Sequence, residues 1–240
     1  MNNEEYDILV DNIIASQTTM VTKERFDTIY RHYNSINKLN GDIVECGVWR
    51  GGMSIFLAKL FQERNIWMCD SFEGFQPLDV AKHEYYGTER HLSGNVDLSI
   101  PYDLVVGNLS RFGLRPDDRI NLLRGWVKDT LHPDHCSVKD IALLRVDVDA
   151  YSATLEVLDY LYDKVVPGGF IIFDDACLYE TRDAVCDFLE QRGIENHLIH
   201  PTTDALINNP RKPDINDPSD WRSIGAETNL PCGSYMVKSL

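Results

Sequence analysis

Short apolar runs that alternate with amphipathic segments are the feature that most limits what this chain can fold into. Runs of this kind occupy residues 42–47, 66–70, 119–125, 141–149 and 170–173. The segments between them carry apolar side chains at helical spacing. Near-continuous apolar strands separated by helices indicate a parallel sheet covered on both faces. We therefore predict one α/β domain with a Rossmann-like, doubly wound, mostly parallel sheet of about seven strands.

The segments outside this alternation divide the single 240-residue domain further. Residues 1–40 show two helical patterns and form a helical extension in front of the sheet. Residues 72–100 are rich in Gly and polar side chains and are predicted to be a lid-like insertion. Residues 177–192 form a further helix, and residues 201–232, rich in Pro, Asn and Asp, form an irregular segment on the acceptor side. Residues 233–239 are predicted to be a last, antiparallel edge strand.

Charge and hydropathy exclude several classes of protein. The net charge of −15 and the scattered Lys and Arg residues argue against a nucleic-acid partner, because phosphate binding needs a basic surface. The chain contains no apolar run of the roughly 18 residues that a membrane helix needs. The acidic N-terminus lacks the layout of a signal peptide, so we expect a cytoplasmic protein. The six cysteines form no CxxC pair and are expected to be reduced thiols.

Carboxylates follow four of the predicted strands where each strand ends. They are Glu45, Asp70, Asp147 with Asp149, and Asp174 with Asp175. The carboxyl ends of parallel strands meet at one edge of a sheet, and ligands bind beyond that edge. Asp147 and Asp174 are separated by about one strand–helix–strand unit, so they should emerge on neighbouring strands.

Three of these acids, Asp147, Asp174 and Asp175, predict a metal site. Carboxylates held 4 Å apart repel one another by roughly 4 kcal/mol per pair at an effective dielectric constant of about 20, and a divalent cation removes that cost. A ligand set made only of oxygen favours Mg²⁺, and no histidine joins the cluster to suggest zinc. The alternative is that these acids cap the helices that begin near residues 151 and 177.

The loop after the first strand, ECGVWRGGMS, predicts a nucleotide-type ligand. Its glycines let a ligand approach the backbone at a helix N-terminus. The acid that closes the second strand, Asp70, is the usual acceptor for ribose hydroxyls. The spacing is not G-x-G-x-x-G, so these residues alone leave open a dinucleotide, an adenosine cofactor or no cofactor.

Five linked motifs resemble the macrocin O-methyltransferase (TylF-like) family. They are GDIVECGVWRGGMSIFLA, DSFEGF, LLRGWVKDTL, the run from LLRVDVDAYSATLEV to GGFIIFDDA, and the preceding TTMVTKERF. The resemblance covers residues 18 to 193. It implies a class I S-adenosylmethionine-dependent methyltransferase that modifies sugar hydroxyls of natural products, as in antibiotic biosynthesis. It also implies a homodimer, since members of the family are often dimers.

The resemblance also implies the residues of the site. The family's Mg²⁺ ligands match Asp147, Asp174 and Asp175. Its cofactor-binding positions match residues of the N-terminal extension, the first loop and the second and third strand ends: Thr19, Met20, Glu45, Gly47, Arg50, Gly51, Asp70, Ser71, Gly125, Trp126 and Asp147. Val148 departs from the family pattern, which has a glycine between the two acids of this motif.

These residues predict a Mg²⁺-dependent O-methyltransferase acting on a sugar or another polyhydroxylated small molecule. Asp147 is expected to take the proton of the acceptor hydroxyl, with His132 as a spare base. The first alternative is methylation of a phenol, a catechol or a nitrogen. The alternative from another class is a non-catalytic nucleotide-binding or scaffold protein on the same fold. A nucleotide-sugar or NAD-dependent enzyme is a third alternative, which the missing G-x-G-x-x-G motif disfavours.

Overall fold

A computed structural model describes most of the chain. The described residues are 1–76, 98–116, 119–195, 197–207 and 231–239. Most of the segment predicted to be a lid, and most of the predicted acceptor-side segment, lie outside these ranges.

Two helices precede the sheet, and helices and strands then alternate as the sequence predicts. The helices are α1 (Asn3–Ala15), α2 (Lys23–Ile36), α3 (Gly52–Leu60), α4 (Tyr102–Arg111), α5 (Val127–Thr130), α6 (Tyr151–Leu161) and α7 (Tyr179–Gln191). The strands are β1 (Asp42–Cys46), β2 (Ile66–Asp70), β3 (Ile120–Arg124), β4 (Ile141–Val146), β5 (Val165–Phe173) and β6 (Ser234–Val237).

The strands form one doubly wound sheet in the order β3-β2-β1-β4-β5-β6. The first five strands are parallel, and β6 pairs antiparallel with β5 at the edge. This confirms the predicted fold class and the edge strand. The described part of the chain contains six strands rather than the expected seven. The strand order reverses between β1 and β4, which is where such sheets bind ligands.

Alternating side chains of the strands face two separate hydrophobic cores. Leu143 and Phe170 pack on the side that contains α1, α2 and α3. Leu144 and Ile171 pack on the opposite side, against residues of α6 and α7. Both faces of the sheet are therefore buried, which explains why its strands are apolar without alternation.

Helix α4 is an element that the sequence analysis did not predict. It begins after Pro101, and its inward residues include Val105 and Leu109, which are fully buried. Its outward positions are largely polar, and it follows the predicted insertion directly. Because of these features, the sequence alone did not distinguish this short helix from the loop that precedes it.

Two cysteines contradict the expectation of reduced thiols. Cys177, just after β5, and Cys232, just before β6, form a disulfide with their Cα atoms 4.6 Å apart. The other four cysteines lie outside any disulfide in the structure. The sequence could not show this pair, because its members are 55 residues apart and meet only when β6 adds to the sheet.

Within the described ranges, the structure contains no helix that is both long enough and apolar enough to cross a lipid bilayer.

Candidate active site

The loop between β1 and α3 lies against the end of β4. Gly47 has a positive φ of 89°, and a Cβ atom there would lie 1.6 Å from the carbonyl oxygen of Asp147. Gly52 is similarly close to the segment before α2, because a Cβ atom would lie 2.7 Å from the carbonyl oxygen of Thr18. The glycines of this loop therefore allow three backbone segments to meet at the sheet edge.

Asp70 at the end of β2 holds this loop in place. Its Oδ2 accepts hydrogen bonds from the backbone amides of Val48 (2.7 Å) and Trp49 (2.9 Å), and its Oδ1 accepts one from Phe72 (2.7 Å). The sequence predicted this carboxylate as a ligand for ribose. In the structure it also fixes the backbone of two loops, so its loss would disturb the whole edge.

A cavity of about 120 Å³ opens at this edge, next to the β1 loop. The predicted cofactor residues that line it are Met20, Gly47, Asp70, Ser71, Trp126 and Asp147. Apolar side chains that the sequence analysis did not select, including those of Trp49 and Phe75, complete its walls. Aromatic and apolar walls with a few polar groups are typical of a cofactor site.

A second cavity, of about 420 Å³, adjoins the first. Thr19 and Glu45 line it, as do Asp174 and Asp175 on the β5 side. The two cavities share five lining residues: Met20, Trp49, Leu98, Asp147 and Asp149. The two acids after β4 therefore lie at the boundary between the two cavities.

Arg145 of β4 is a buried cation among the acids, and the sequence analysis did not select it. Its side chain is 1% exposed. Nη1 lies 2.7 Å from Oε1 of Glu45 and 2.6 Å from Oδ2 of Asp147, and Nη2 lies 2.6 Å from Oδ1 of Asp174. Strand alternation was the available signal, because Arg145 lies two residues before Asp147 and shares its face of β4.

Asp174 has a second cationic partner from the N-terminal extension. Nη1 of Arg25, in α2, donates to the backbone carbonyl of Asp174 at 2.5 Å and lies 3.3 Å from its Oδ2. Each carboxylate oxygen of Asp174 thus faces a different guanidinium group. The charge of Asp174, unlike that of Asp175, is balanced within the protein.

The acids that gather closely are Asp147, Asp149 and Asp175. Each offers one oxygen, and these oxygens lie within 4.8 Å of one another. Oδ2 of Asp175 is buried, and among the described residues no group other than the neighbouring Asp147 carboxyl is positioned to hydrogen-bond with this side chain. The predicted metal set shares Asp147 and Asp175 with this group, whereas Asp174 lies outside it and Asp149 inside it, so the assignment of the metal ligands stays a prediction.

Helix capping does not account for these acids. The N-cap residue of α6 is Ala150 and that of α7 is Leu178, and neither helix start has a side-chain cap. Asp149 instead adopts a left-handed backbone conformation, with φ 55°. Such a conformation is uncommon outside glycine and occurs often at functional sites.

Burial makes the acids of this cluster difficult to ionise. Burial raises the pKa of Asp147 to about 7 although Arg145 opposes the shift, and Asp174 and Asp149 raise it further. Burial and the charges of Asp149 and Asp147 raise the pKa of Asp175 well above its usual value. A cation bound between these carboxylates would remove both penalties. Oxygen ligands, an orphaned buried oxygen and raised pKa values together fit Mg²⁺.

The remaining predicted residues lie near the cavities without lining them. Gly125 donates its backbone amide to the carbonyl of Asp70 at 2.9 Å. Gly51 provides the left-handed N-cap of α3. The guanidinium group of Arg50 lies over the ring of Trp49, 4.4 Å from its centroid.

His132 is not among the described residues that line either cavity. Its side chain is 47% exposed, and its Nδ1 lies 3.3 Å from Oδ2 of Asp134. Its ring packs 6.1 Å from the ring of Tyr160 in α6. The structure does not bring it to the acid cluster, so its role as a spare base stays a prediction without support from proximity.

Comparison with known proteins identifies relatives of this chain by sequence. The family described as Macrocin-O-methyltransferase (TylF) matches residues 11–206. A mycinamicin III 3''-O-methyltransferase from Micromonospora griseorubida is 34% identical over 195 residues, which is 75% of this chain and 74% of the relative. A Streptomyces olivaceus 8-demethyl-8-(2,3-dimethoxy-alpha-L-rhamnosyl)-tetracenomycin-C 4'-O-methyltransferase is 36% identical over 187 residues, 75% of this chain and 70% of the relative.

Solved structures show the same fold. The structure of the O-methyltransferase NovP matches with a TM-score of 0.70 and 28% identity, covering 92% of this chain and 82% of NovP. The calicheamicin methyltransferase CalS11 matches at a TM-score of 0.54 and 17% identity, covering 99% and 94% of the two chains. The chain therefore belongs to the macrocin O-methyltransferase (TylF) family of S-adenosylmethionine-dependent O-methyltransferases.

Proposed function

We propose that this enzyme transfers the methyl group of S-adenosylmethionine to a hydroxyl of a sugar, or of another polyhydroxylated small molecule, in natural-product or glycan biosynthesis, and that it requires Mg²⁺. The observation that carries this proposal is the position of Asp147 and Asp149 at the boundary of two adjoining cavities. The names of two relatives, which specify a 3''-hydroxyl and a rhamnosyl 4'-hydroxyl as methylation positions, support the choice of a sugar.

The first cavity suits the cofactor, and the second suits the acceptor. Trp49 and Trp126 give the first cavity aromatic walls, and Asp70 and Ser71 place hydroxyl-binding groups on its rim. The second cavity carries the acids of the cluster and is open enough to admit a sugar. The transfer needs the acceptor oxygen close to the methyl group, and two cavities with a common wall make that approach possible.

When bound, the cofactor supplies an electrophilic methyl group and Mg²⁺ supplies a Lewis acid that lowers the pKa of a hydroxyl. Asp147, Asp149 and Asp175 would hold the cation. Asp147 also lines both cavities, where the acceptor hydroxyl would meet the methyl group, so its carboxylate is the group that would accept the proton. Water is excluded from its inner side by the buried Arg145 and Glu45.

A panel of acceptors tests the proposal. The purified enzyme is incubated with S-adenosylmethionine and Mg²⁺, and products are detected by the mass of one added methyl group. We expect methylation of rhamnosides and related deoxysugar glycosides, and no transfer to amines. Transfer to catechols alone would replace the sugar with a phenolic acceptor.

The metal requirement is tested separately on an acceptor that works. We expect EDTA to abolish transfer and Mg²⁺ to restore it. The matched variant is Asp147→Asn, which keeps the shape of the side chain and removes its charge and basicity. We expect it to lose about 10²- to 10⁴-fold in kcat. Undiminished transfer in EDTA would remove Mg²⁺ from the mechanism.

A further inference from the structure

The disulfide closes a corner at the end of the sheet that carries the active site. The ladder between β5 and β6 ends at the pair Phe173 and Ser234. Cys177 lies four residues beyond that end of β5, and Cys232 lies two residues before β6. The bond therefore joins the two chain segments just past the last paired residues, although they are 55 residues apart in sequence.

This corner fixes the backbone of the acids that follow β5. The amide of Gly233, next to Cys232, donates to the backbone carbonyl of Asp174 at 2.8 Å. The same carbonyl accepts a hydrogen bond from Nη1 of Arg25. Asp174 and Asp175 both line the second cavity. A change at the corner thus reaches the wall of the active site within one or two residues.

Strand β6 is held in the sheet without help from the disulfide. All four of its residues pair with β5. Beyond the strand, the amide of Lys238 donates to the carbonyl of Gly169 at 2.9 Å, and its carbonyl accepts from the amide of Gly168 at 2.8 Å. Tyr235 exchanges two backbone hydrogen bonds with Ile199 on the other side. Loss of the disulfide should therefore leave the sheet intact and loosen the corner beyond it.

Both residues of the disulfide are within reach of a reductant. Cys177 and Cys232 are partly exposed, whereas Cys46, Cys69 and Cys136 are buried. Thiol–disulfide exchange requires a thiolate to reach one sulfur of the bond, so access decides which cysteines react. The sequence predicts a cytoplasmic protein, and disulfides in that compartment are usually transient, catalytic or redox-sensing rather than permanent links.

We propose that Cys177 and Cys232 form a reversible thiol–disulfide exchange site that controls methyl transfer, with a dithiol as the co-reactant. The oxidised pair holds the corner and keeps the acids after β5 in place. The reduced pair releases the corner and lowers the activity. The inference rests on the proposed function, because it concerns regulation of the same site.

The exchange is balanced in atoms and electrons. One thiolate of the dithiol attacks a sulfur of the protein disulfide and forms a mixed disulfide, which the second sulfur of the dithiol then resolves. The S–S bond between Cys177 and Cys232 breaks, an S–H group forms on each, and a new S–S bond forms within the dithiol. Two electrons and two protons pass from the dithiol to the protein.

The test compares the oxidised enzyme with enzyme treated with dithiothreitol under native conditions. Alkylation followed by mass spectrometry gives the fraction of enzyme that carries the bond. Steady-state assays with a working acceptor give kcat and KM, and calorimetry gives the affinity for S-adenosylhomocysteine. The double variant Cys177→Ser/Cys232→Ser cannot form the bond. The matched control is Cys186→Ser, which changes a partly exposed cysteine outside the disulfide.

We expect native reduction to lower kcat/KM for the acceptor by about 10-fold, as is typical when a group that orients active-site ligands is released, and reoxidation to restore it. Affinity for S-adenosylhomocysteine should stay within about threefold, because the described residues that line the first cavity include none of 173–177 or 231–234. The double variant should match the reduced enzyme and not respond to dithiothreitol. Cys186→Ser should respond as the wild type does.

Equal kcat/KM in the two redox states would overturn the proposal. So would a bond that dithiothreitol reduces only after denaturation, because such a bond is a structural link. An equal loss of cofactor affinity on reduction would count against it too, since that pattern indicates general damage to the fold. If the double variant does not fold, reduction of the wild type still decides, because it needs no substitution.

The proposed function can fail independently of this inference. An enzyme that methylates no sugar in either redox state has a different acceptor, and hydrogen exchange then tests the corner directly. Faster exchange of the amides of residues 170–177 in the reduced enzyme, with exchange of residues 42–46 in β1 unchanged, would support the inference. Equal exchange of residues 170–177 in both states would refute it.

Discussion

Cation binding should release protons, so the affinity of this enzyme for Mg²⁺ should rise steeply with pH. Burial raises the pKa of Asp147 to about 7, and the pKa of Asp175 is raised well above its usual value. Both side chains therefore bind protons more tightly in the folded protein than in water. A divalent cation needs both carboxylates ionised, so protons and the cation compete for them.

The size of the effect follows from the number of protons displaced. Each released proton makes the apparent affinity rise about tenfold per pH unit while the pH is below the raised pKa. One proton with a pKa of about 7, as at Asp147, gives a rise of about 10-fold between pH 6 and pH 8, because the group is mostly ionised above pH 7. A second proton would make the slope steeper below pH 7. The sign is fixed, because a raised carboxyl pKa always weakens cation binding at the lower pH.

Calorimetric titration with Mn²⁺ at pH 6, 7 and 8 measures this slope. Repeating each titration in two buffers of different ionisation enthalpy counts the protons directly. The matched variant is Asp175→Asn, which keeps the shape of the side chain and cannot bind the proton. We expect it to bind Mn²⁺ more weakly at pH 8 and to release about one proton fewer. A wild-type affinity that changes less than threefold between pH 6 and 8, with no dependence on the buffer, would refute this account of the cluster.

Three further outcomes follow from the structure. Asp174→Asn should destabilise the protein by about 1 to 3 kcal/mol, because the buried Arg145 keeps Glu45 and Asp147 but loses one of its three carboxylate partners. Asp149→Asn should mainly weaken Mn²⁺ binding, and thermal melting and calorimetry separate the two effects. Gly47→Ala should abolish binding of S-adenosylhomocysteine, because its Cβ atom would lie 1.6 Å from the carbonyl oxygen of Asp147. Gly107→Ala in α4 is the control: its Cβ atom would have no neighbour within 4 Å, so the change should raise the melting temperature by the equivalent of up to about 1 kcal/mol. Thiol titration of the denatured protein should find four free thiols before reduction and six after it, and six without reduction would show that the disulfide does not form in solution.

The strands, the helices that cover them and the edge that carries the site could all be predicted from local pattern. A buried parallel strand needs a continuous apolar run, and a helix packed on a sheet needs one apolar face, so both leave a periodic record in the sequence. The acids after these strands were predictable for the same reason, because a parallel sheet brings all its carboxyl ends to one edge. Asp147 and Asp175 meet there as expected.

The partners of those acids could not be predicted in the same way. The sequence shows no basic residue beside Asp174, and on that basis only a bound cation could balance the cluster. In the structure, the register of β4 against β1 and β5 places Arg145 between Glu45 and Asp174. Arg25 reaches the same carboxylate across 149 residues of chain.

Tertiary structure also decided which three acids gather. The sequence favoured Asp174 because it follows a strand directly. In the structure two guanidinium groups face Asp174, and Asp149, whose backbone is left-handed, lies close to Asp147 and Asp175. The sequence by itself therefore determined the fold, the edge and the chemistry of the acids, because periodicity and strand ends are local properties. Only the folded chain decided which charges neutralise one another, because ion pairing depends on distances between segments that are remote in sequence.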